Sequence, residues 1–405
     1  MTATIERPPV RTRARVGVRS VLLLGAVTAL PALAIDAYLP ALPDLARDLG
    51  TTPAAAQLTL TAVLLGVALG QLVGGPLSDR LGRRLPMLAG LATFVVAAVL
   101  CSVAPNLPVL VALRLLMGMG GGAAVVVARA VVRDEAEGAE AARVFARLML
   151  VMGVVPVLAP VLGAQLLHLT SWRGVFAALA LLGVALSVVV VRRLPESLDV
   201  EHRSSRSVQD TLRAFRGLLR DRAFAGYALA TALASGGMFA YISASPFVLQ
   251  DVHGLSPTAF GAVFALNAAG LIGASQLSAR LVGTTGPRLL FLTGLGVGAA
   301  AGLALVMVAL VDAPLPWLVA GLFASLASVG LVAPNAVALA LEAHGAQAGT
   351  ASALLGLGQF VVGAAAAPLT GLIGAPGALP LAVVVAAFAS AALAAGVLTR
   401  ARRPV

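Results

Sequence analysis

Apolar stretches of about twenty residues follow one another along the whole chain, and short polar segments separate them. About 20 consecutive apolar residues in a helix cross the hydrocarbon core of a bilayer. The pattern therefore predicts an all-α membrane protein with twelve transmembrane helices. Numbered in chain order as spans 1 to 12, they are expected near 20–41, 56–78, 85–104, 108–131, 144–167, 173–191, 223–249, 258–281, 288–311, 315–341, 349–373 and 378–398.

The first apolar stretch also has features of a secretory signal peptide. Arginines precede it, and the Ala-Leu-Ala at 32–34 resembles a signal-peptidase site. A cleaved leader is therefore the alternative to a retained helix. We favour a retained span 1, because eleven further apolar stretches follow and because the first one continues past Asp36 to Pro43.

The composition agrees with a membrane protein. Hydrophobic residues make up 60% of the chain and charged residues only 11%, whereas a soluble globular chain is about half apolar and a quarter charged. Cys101 is the single cysteine, which excludes an intramolecular disulfide and a thiolate metal site. No H-E-x-x-H sequence is present. We expect no metal and no cofactor.

The net charge of +11 is explained by the placement of the arginines, which supply every basic residue. If both termini lie on one side, all arginines except Arg47, Arg114, Arg129 and Arg173 fall in segments on that side. Arginine-rich loops mark the cytoplasmic side of a membrane protein. The expectation is a multi-pass protein of the bacterial plasma membrane with both termini cytoplasmic, and nucleic-acid binding is not needed to explain the charge.

A long polar segment divides the chain into two groups of six spans. It predicts an N-terminal half at 1–192, a cytoplasmic linker at 193–222 and a C-terminal half at 223–405. The sequence LSDRL at 77–81 recurs as LSARL at 277–281, in the same position of each half. Paired six-helix repeats are one plan of secondary transporters. Within the linker, Leu212, Phe215 and Leu219 share one face of a possible amphipathic helix, with a solvated linker as the alternative.

The charges between spans 2 and 3 stand in the pattern G-x-L-S-D-R-x-G-R-R. This pattern, at this position, resembles the signature of the major facilitator superfamily. The resemblance implies a cytoplasmic charge relay that holds the halves together, with Asp79 facing the first turn of span 11 near Gly349. A plain positive anchor is the alternative. Residues assigned to this relay or the inner gate are Gly75, Asp79, Arg80, Gly82, Arg83, Arg84, Arg129 and Glu342.

Four further stretches resemble the Bcr/CflA group of drug:proton antiporters: 36–50, 114–134, 153–166 and 348–364. Three positions depart from that group or from the internal repeat. Met117 stands where Gln is usual, Ile35 where Thr is usual, and Ala279 where the first half has Asp79. The resemblance implies an antiporter motif on span 5 that gates the interface of the halves, although a packing role explains the same residues: Gly153, Pro156, Pro160 and Gly163.

Asp36 and Arg114 are the ionisable residues expected deepest in the membrane. A charged side chain within an apolar span is costly and indicates function. We expect Asp36 to carry the proton, and to pair with or approach Arg114 in at least one state. The alternatives are an interfacial Asp at a helix end, and an Arg that is satisfied by backbone carbonyls and water.

The sequence predicts a transporter, not an enzyme, that exchanges protons for small hydrophobic or amphipathic compounds. No nucleotide-binding G-x-x-x-x-G-K-[ST] is present. Alternatives are a dedicated exporter of one metabolite, an uptake symporter and a non-transporting receptor of the same fold. The expected partners are a drug or metabolite, protons and lipids, and the protein is expected to be a monomer. Candidate substrate-cavity residues are Tyr38, Met117, Met238, Tyr241, Asn267 and Gln359.

Overall fold

The computed structural model describes residues 18–136, 138–203, 208–342, 344 and 347–399. These residues form helices and connecting loops without a β-strand. Twelve helices are long and apolar enough to cross a membrane, which confirms the predicted count. Their bounds are Val21–Asp48, Pro53–Leu81, Arg84–Ser102, Leu107–Glu135, Leu150–Leu167, Trp172–Arg193, Arg222–Val252, Pro257–Thr285, Pro287–Leu310, Leu315–Leu341, Ala348–Ile373 and Ala378–Leu398.

Two faces of the helical bundle are named by their loops. The linker face carries residues 193–203 and 208–222, and the opposite face carries the loops after the odd-numbered spans. The two halves begin spans 2 and 8 in the same way. Thr52 and Ser256 each accept a hydrogen bond from the backbone N–H three residues later, and a proline follows each cap. Such caps satisfy otherwise unpaired N–H groups at a helix start.

Spans 1, 7 and 11 are interrupted near the opposite face. Span 1 contains a helix that ends at Asp36, a short 3-10 turn at Leu39–Ala41 and a helix at Leu42–Asp48. Span 7 ends in a π-helical turn at Phe247–Val252. Span 11 is broken after Ala366. Prolines stand at each break, and proline removes a backbone donor and disfavours a continuous helix. Broken helices in transporters are tolerated where protein or a cavity surrounds them.

Hydrogen bonds between the two halves gather at the opposite face. Span 2 contacts span 11, span 5 contacts span 8, and the end of span 1 contacts the end of span 7. The halves are therefore packed together on that side, and the structure describes a conformation closed at the opposite face. The hydrogen-bonded pairs are Gln57–Thr370, Thr61–Ala364, Gln250–Pro40, Arg47–Asp251 and His168–Thr258, at 2.9–3.2 Å.

Spans 2 and 4 approach each other through glycines. A Cβ atom on Gly70 would overlap the carbonyl oxygen of Met119, and one on Gly118 would overlap that of Val63. Small residues allow this approach in a membrane, where apolar burial does not drive helices together. The glycines thus fix the position of span 4, which carries Arg114.

We expect Gly70→Ala to destabilise the protein by about 1–3 kcal/mol, the usual cost of extra volume in a packed core. The added methyl group would have to push span 4 away. Thermal unfolding in detergent measures the effect. Gly273→Ala on span 8 is the matched control, because its Cβ meets no atom within 4 Å. Equal melting temperatures for the two variants would contradict this account of the helix pair.

Candidate functional site

Asp36 lies buried between the two halves. Its side chain is 4% exposed, and it stands at the last residue of the first helix of span 1. No hydrogen bond or ion pair connects it to any residue that the structure describes. A helix C-terminus carries partial negative charge, so its own helix does not stabilise the ionised carboxylate. A buried carboxylate of this kind has to take up a proton or a cationic partner.

Arg114 is fully buried, but Asp36 is not its partner in this conformation. Its Nη1 donates to the carbonyl oxygen of Ala34 at 2.8 Å and contacts the sulfur of Met117 at 3.7 Å. The guanidinium stands 4.2 Å from the ring centroid of Tyr38 and 5.4 Å from that of Phe176. Arginine over an aromatic face is a favourable cation–π contact. Nε and Nη2 of Arg114 make no hydrogen bond within the described part of the chain.

Tyr38 and Met117 therefore belong to the surroundings of Arg114 in the N-terminal half. Both side chains are fully buried. The hydroxyl of Tyr38 shares a hydrogen bond of 3.0 Å with that of Thr59, which donates to the carbonyl oxygen of Ala56. Both side chains are enclosed in this closed conformation, and their place in a substrate cavity stays a prediction.

Tyr241 and Asn267 form a hydrogen-bonded pair in the C-terminal half. Asn267 Nδ2 donates to the hydroxyl oxygen of Tyr241 at 2.8 Å, and the Tyr241 ring stacks on Phe264. Both residues are fully buried, and Asn267 Oδ1 has no hydrogen-bond donor among the described residues. The C-terminal half thus holds a phenol and an unpaired amide oxygen side by side in a buried position.

The other two candidate cavity residues are not part of this group. Met238 lines a separate cavity among spans 7, 9, 10 and 12, together with Ser325 and Ser328. Gln359 is partly exposed on span 11. The six predicted cavity residues therefore divide into an Arg114 pair, a Tyr241–Asn267 pair and two separate residues.

The antiporter-type sequence of span 5 lies between span 1 and span 8. A Cβ on Gly163 would overlap the carbonyl oxygen of Ala37, the residue after Asp36. The backbone of Pro160 contacts Gly261 of span 8, and Gly153 lies near Ile272 of the same span. Span 5 therefore contacts both the Asp36 break and the other half.

Arg83 is the centre of a polar cluster at the linker face. Its Nε donates to Asp134 at 2.7 Å, and its Nη1 donates to Ser78 at 2.9 Å and to Asp79. The Arg83 side chain is almost fully buried, so these charged partners compensate its desolvation. Asp134 stands at the end of span 4. The cluster therefore joins spans 2 and 4 to the loop before span 3.

Glu196, just after span 6, holds the backbone of the same loop. It accepts hydrogen bonds from the N–H groups of Arg83 at 2.6 Å and Arg84 at 3.1 Å. Gly82 has a φ of +91°, which glycine adopts at little cost. Partial burial opposes ionisation of Glu196, but the backbone hydrogen bonds outweigh it, and the pKa of this carboxyl is lowered.

The structure places the remaining relay residues apart from one another. Asp79 pairs with Arg83 inside its own half, and no hydrogen bond links it to span 11 in the described residues. Arg133 is the charged group beside Gly349, at the start of span 11.

Arg129 is half-buried in span 4, and Glu342 is exposed at the end of span 10. Arg80 is exposed, and Arg84 donates to the carbonyl oxygen of Val191. Gly75 is partly exposed on span 2.

We expect Glu196→Gln to destabilise this loop by about 1 kcal/mol at neutral pH, allowing for its solvent exposure. Because the folded-state pKa is lowered, the carboxylate stabilises the fold above the ordinary Glu pKa. That contribution disappears as the pH falls through the lowered value. Melting temperatures of both proteins between neutral pH and acid should therefore converge in acid. A constant difference over the whole range would contradict this role of the charge.

Two six-helix halves that enclose a buried carboxylate define a multi-pass membrane protein of the secondary-transporter class. The chain belongs to the Major Facilitator Superfamily, whose family model matches residues 22–368. Proteins of this family are transporters and not enzymes.

Named relatives come from several bacteria. An uncharacterized MFS-type transporter, YdgK, of Bacillus subtilis is 37% identical, covering 86% of this chain and 88% of the relative. A bicyclomycin resistance protein homolog of Haemophilus influenzae is 30% identical, covering 85% and 86%. The multidrug resistance protein MdtL of Escherichia coli is 30% identical over 80% and 81%. These relatives agree with the resemblance to the Bcr/CflA group.

A solved structure supports the fold. The xylose transporter XylE of E. coli, in a partially occluded inward-open conformation, aligns with a TM-score of 0.71 over 95% of this chain and 98% of that chain. Its sequence identity is 13%, so the comparison shows the shared fold and not a shared substrate.

Proposed function

We propose that the protein exports small hydrophobic or amphipathic compounds in exchange for protons, by alternating access between its two halves. The observation that carries the proposal is Asp36, buried at the interface of the halves without a partner among the described residues. The relatives named for bicyclomycin and multidrug resistance support the substrate class.

Asp36 would act as the proton carrier. An uncompensated carboxylate at this depth is costly, and either a proton or a cationic group removes the cost. Arg114 does not neutralise it, because the guanidinium is held by Ala34 and the ring of Tyr38. Proton and substrate would then compete for one site, which couples their movements in opposite directions.

Tyr241 and Asn267 would bind the polar end of the substrate. The Oδ1 of Asn267, which has no donor among the described residues, would accept a hydrogen bond from the substrate, and the stacked rings of Tyr241 and Phe264 offer an apolar surface. Together with Asp36, such a site would favour compounds with an N–H or ammonium group beside an apolar body. Span 5 would couple closure of the two halves to the position of Asp36, because it contacts both Ala37 and span 8.

The orientation follows from the arginines. We propose that the linker face and both termini are cytoplasmic and that the protein is a monomer in the bacterial plasma membrane. One proton that enters through a potential of about 100 mV supplies roughly 2.3 kcal/mol. No other cofactor enters the proposed cycle.

The test is substrate-driven proton movement in inverted vesicles, with a panel of antibiotics and dyes. Proton release from the vesicle interior on addition of several unrelated compounds supports a multidrug antiporter. A response to one metabolite alone supports the dedicated exporter, and proton movement in the opposite direction supports an uptake symporter. No proton movement with any compound or metabolite tested would overturn the proposed coupling.

A further inference from the structure

The linker contains a short helix at Val208–Leu219, where an amphipathic helix was one of the two predictions. Its last residue is three positions before Arg222, where span 7 begins. Three residues reach at most about 10 Å. The helix is therefore held at the membrane boundary, and a fully solvated linker does not describe this segment.

The helical bundle covers only part of the apolar face of the linker helix. Phe215 and Leu218 are buried, and Leu218 packs in one apolar cluster with Phe224 and Leu355. Leu212 and Leu219 belong to the same side of the helix but are 48% and 51% exposed. An exposed leucine edge beside the membrane is able to contact lipid chains.

A row of arginines borders this leucine edge. Arg216 stands four residues after Leu212 and three before Leu219, which makes it a neighbour of both on the helix surface. Arg220 follows one turn later, and both arginines are exposed with no ion pair to another described residue. Arg213 continues the row but pairs with Asp210. On the far side, a Cβ on Gly217 would meet no atom within 4 Å.

We propose that the linker helix is a docking surface for anionic phospholipid, whose phosphate binds Arg216 and Arg220 and whose chains cover Leu212 and Leu219. Arginine stems extend along apolar surface while their charged ends reach the headgroups. Leu218 of the linker helix packs with Leu355 of span 11. The bound lipid therefore stabilises the linker-face end of span 11 through this contact. This surface is independent of the transport site.

The experiment uses the full chain in vesicles of phosphatidylcholine and phosphatidylglycerol. A fluorophore on Leu212→Cys reports nearby lipid through quenching by bromine, placed either on the anionic or on the neutral lipid. Native Cys101 is buried, so the label marks the introduced cysteine. Gly217→Cys is the reference position on the open side of the helix.

At position 212, brominated phosphatidylglycerol should quench more than its share of the bilayer. The association constant for phosphatidylglycerol relative to phosphatidylcholine, obtained from the two quenching curves, should fall by about fivefold for each arginine removed in Arg216→Gln/Arg220→Gln. Arg192→Gln/Arg193→Gln removes two exposed charges at the end of span 6 and should leave the enrichment unchanged. Unchanged melting temperatures of both variants verify their folding.

Each other result overturns the proposal. Equal quenching by the two lipids means that the helix touches the membrane without selecting a charge. No quenching, with free access of a water-soluble quencher, means a solvated helix. No quenching by lipid or water-soluble reagent means that protein covers this face.

Discussion

Replacing Asp36 with Asn will abolish substrate-driven proton movement, down to the leak of empty vesicles. Asn keeps the size of the side chain but cannot exchange a proton. The carboxylate that it removes is buried between the halves and has no partner among the described residues. The measurement compares proton release on substrate addition in inverted vesicles that contain equal amounts of each protein.

Two variants make this result specific. Asp36→Glu keeps a titratable group and should restore part of the response. Asp312→Asn removes a carboxylate from an exposed loop and should leave transport unchanged. If Asp36→Asn retained the full response, the proton would be carried by another group. If it bound substrate as tightly as the wild type at every pH, competition between proton and substrate would be wrong.

The sequence predicted the number of spans and the two-half plan because both depend on the lengths of apolar stretches. It also predicted that Asp36 would be buried, since a residue within an apolar span has few other environments. Length and hydropathy give the depth of a side chain, but not the direction in which it points around the helix. For this reason the sequence placed Arg114 at the depth of Asp36 and could not identify Ala34 and Tyr38 as its contacts.

The partners of Arg83 show a second limit. Asp134 is 51 residues away along the chain and Glu196 is 113 residues away. Each is one of several acids at span ends, so the pairing depends on how spans 2, 4 and 6 pack. The signal that was available is their common side: these acids stand at the same face as the basic loop.

A similar argument applies to the substrate cavity. Polar or adaptable residues within apolar spans were grouped by type, and the structure separates them by half. A side-chain hydrogen bond joins Asn267 of span 8 to Tyr241 of span 7, whereas Met238, one turn earlier on span 7, lines a separate cavity. Residue type selects candidates, and packing decides which of them share a site.

Gly163→Ala will shift the protein away from the conformation closed at the opposite face. The added Cβ would overlap the carbonyl oxygen of Ala37, next to Asp36. Overpacking costs about 1–3 kcal/mol. Span 5 also contacts Gly261 of the other half in the closed conformation, and we expect the strain to be relieved when that contact opens and the broken part of span 1 moves away from Gly163. A bias of that size changes the ratio of conformations by about 5- to 150-fold. The labelling rate of Thr370→Cys by a reagent that reaches the opposite face measures it, because Thr370 is buried in the closed conformation.

Gly153, on the same span, provides the matched control. A Cβ on Gly153 would lie 3.9 Å from Ile272, an ordinary contact, so Gly153→Ala should label at the rate of the parent protein. The two variants differ only in position along one helix, and helix propensity affects them alike. If both increased labelling equally, the effect would come from span 5 as a whole. If neither did, the contact of Gly163 with Ala37 would not govern closure, and the span 5 sequence would have a packing role alone.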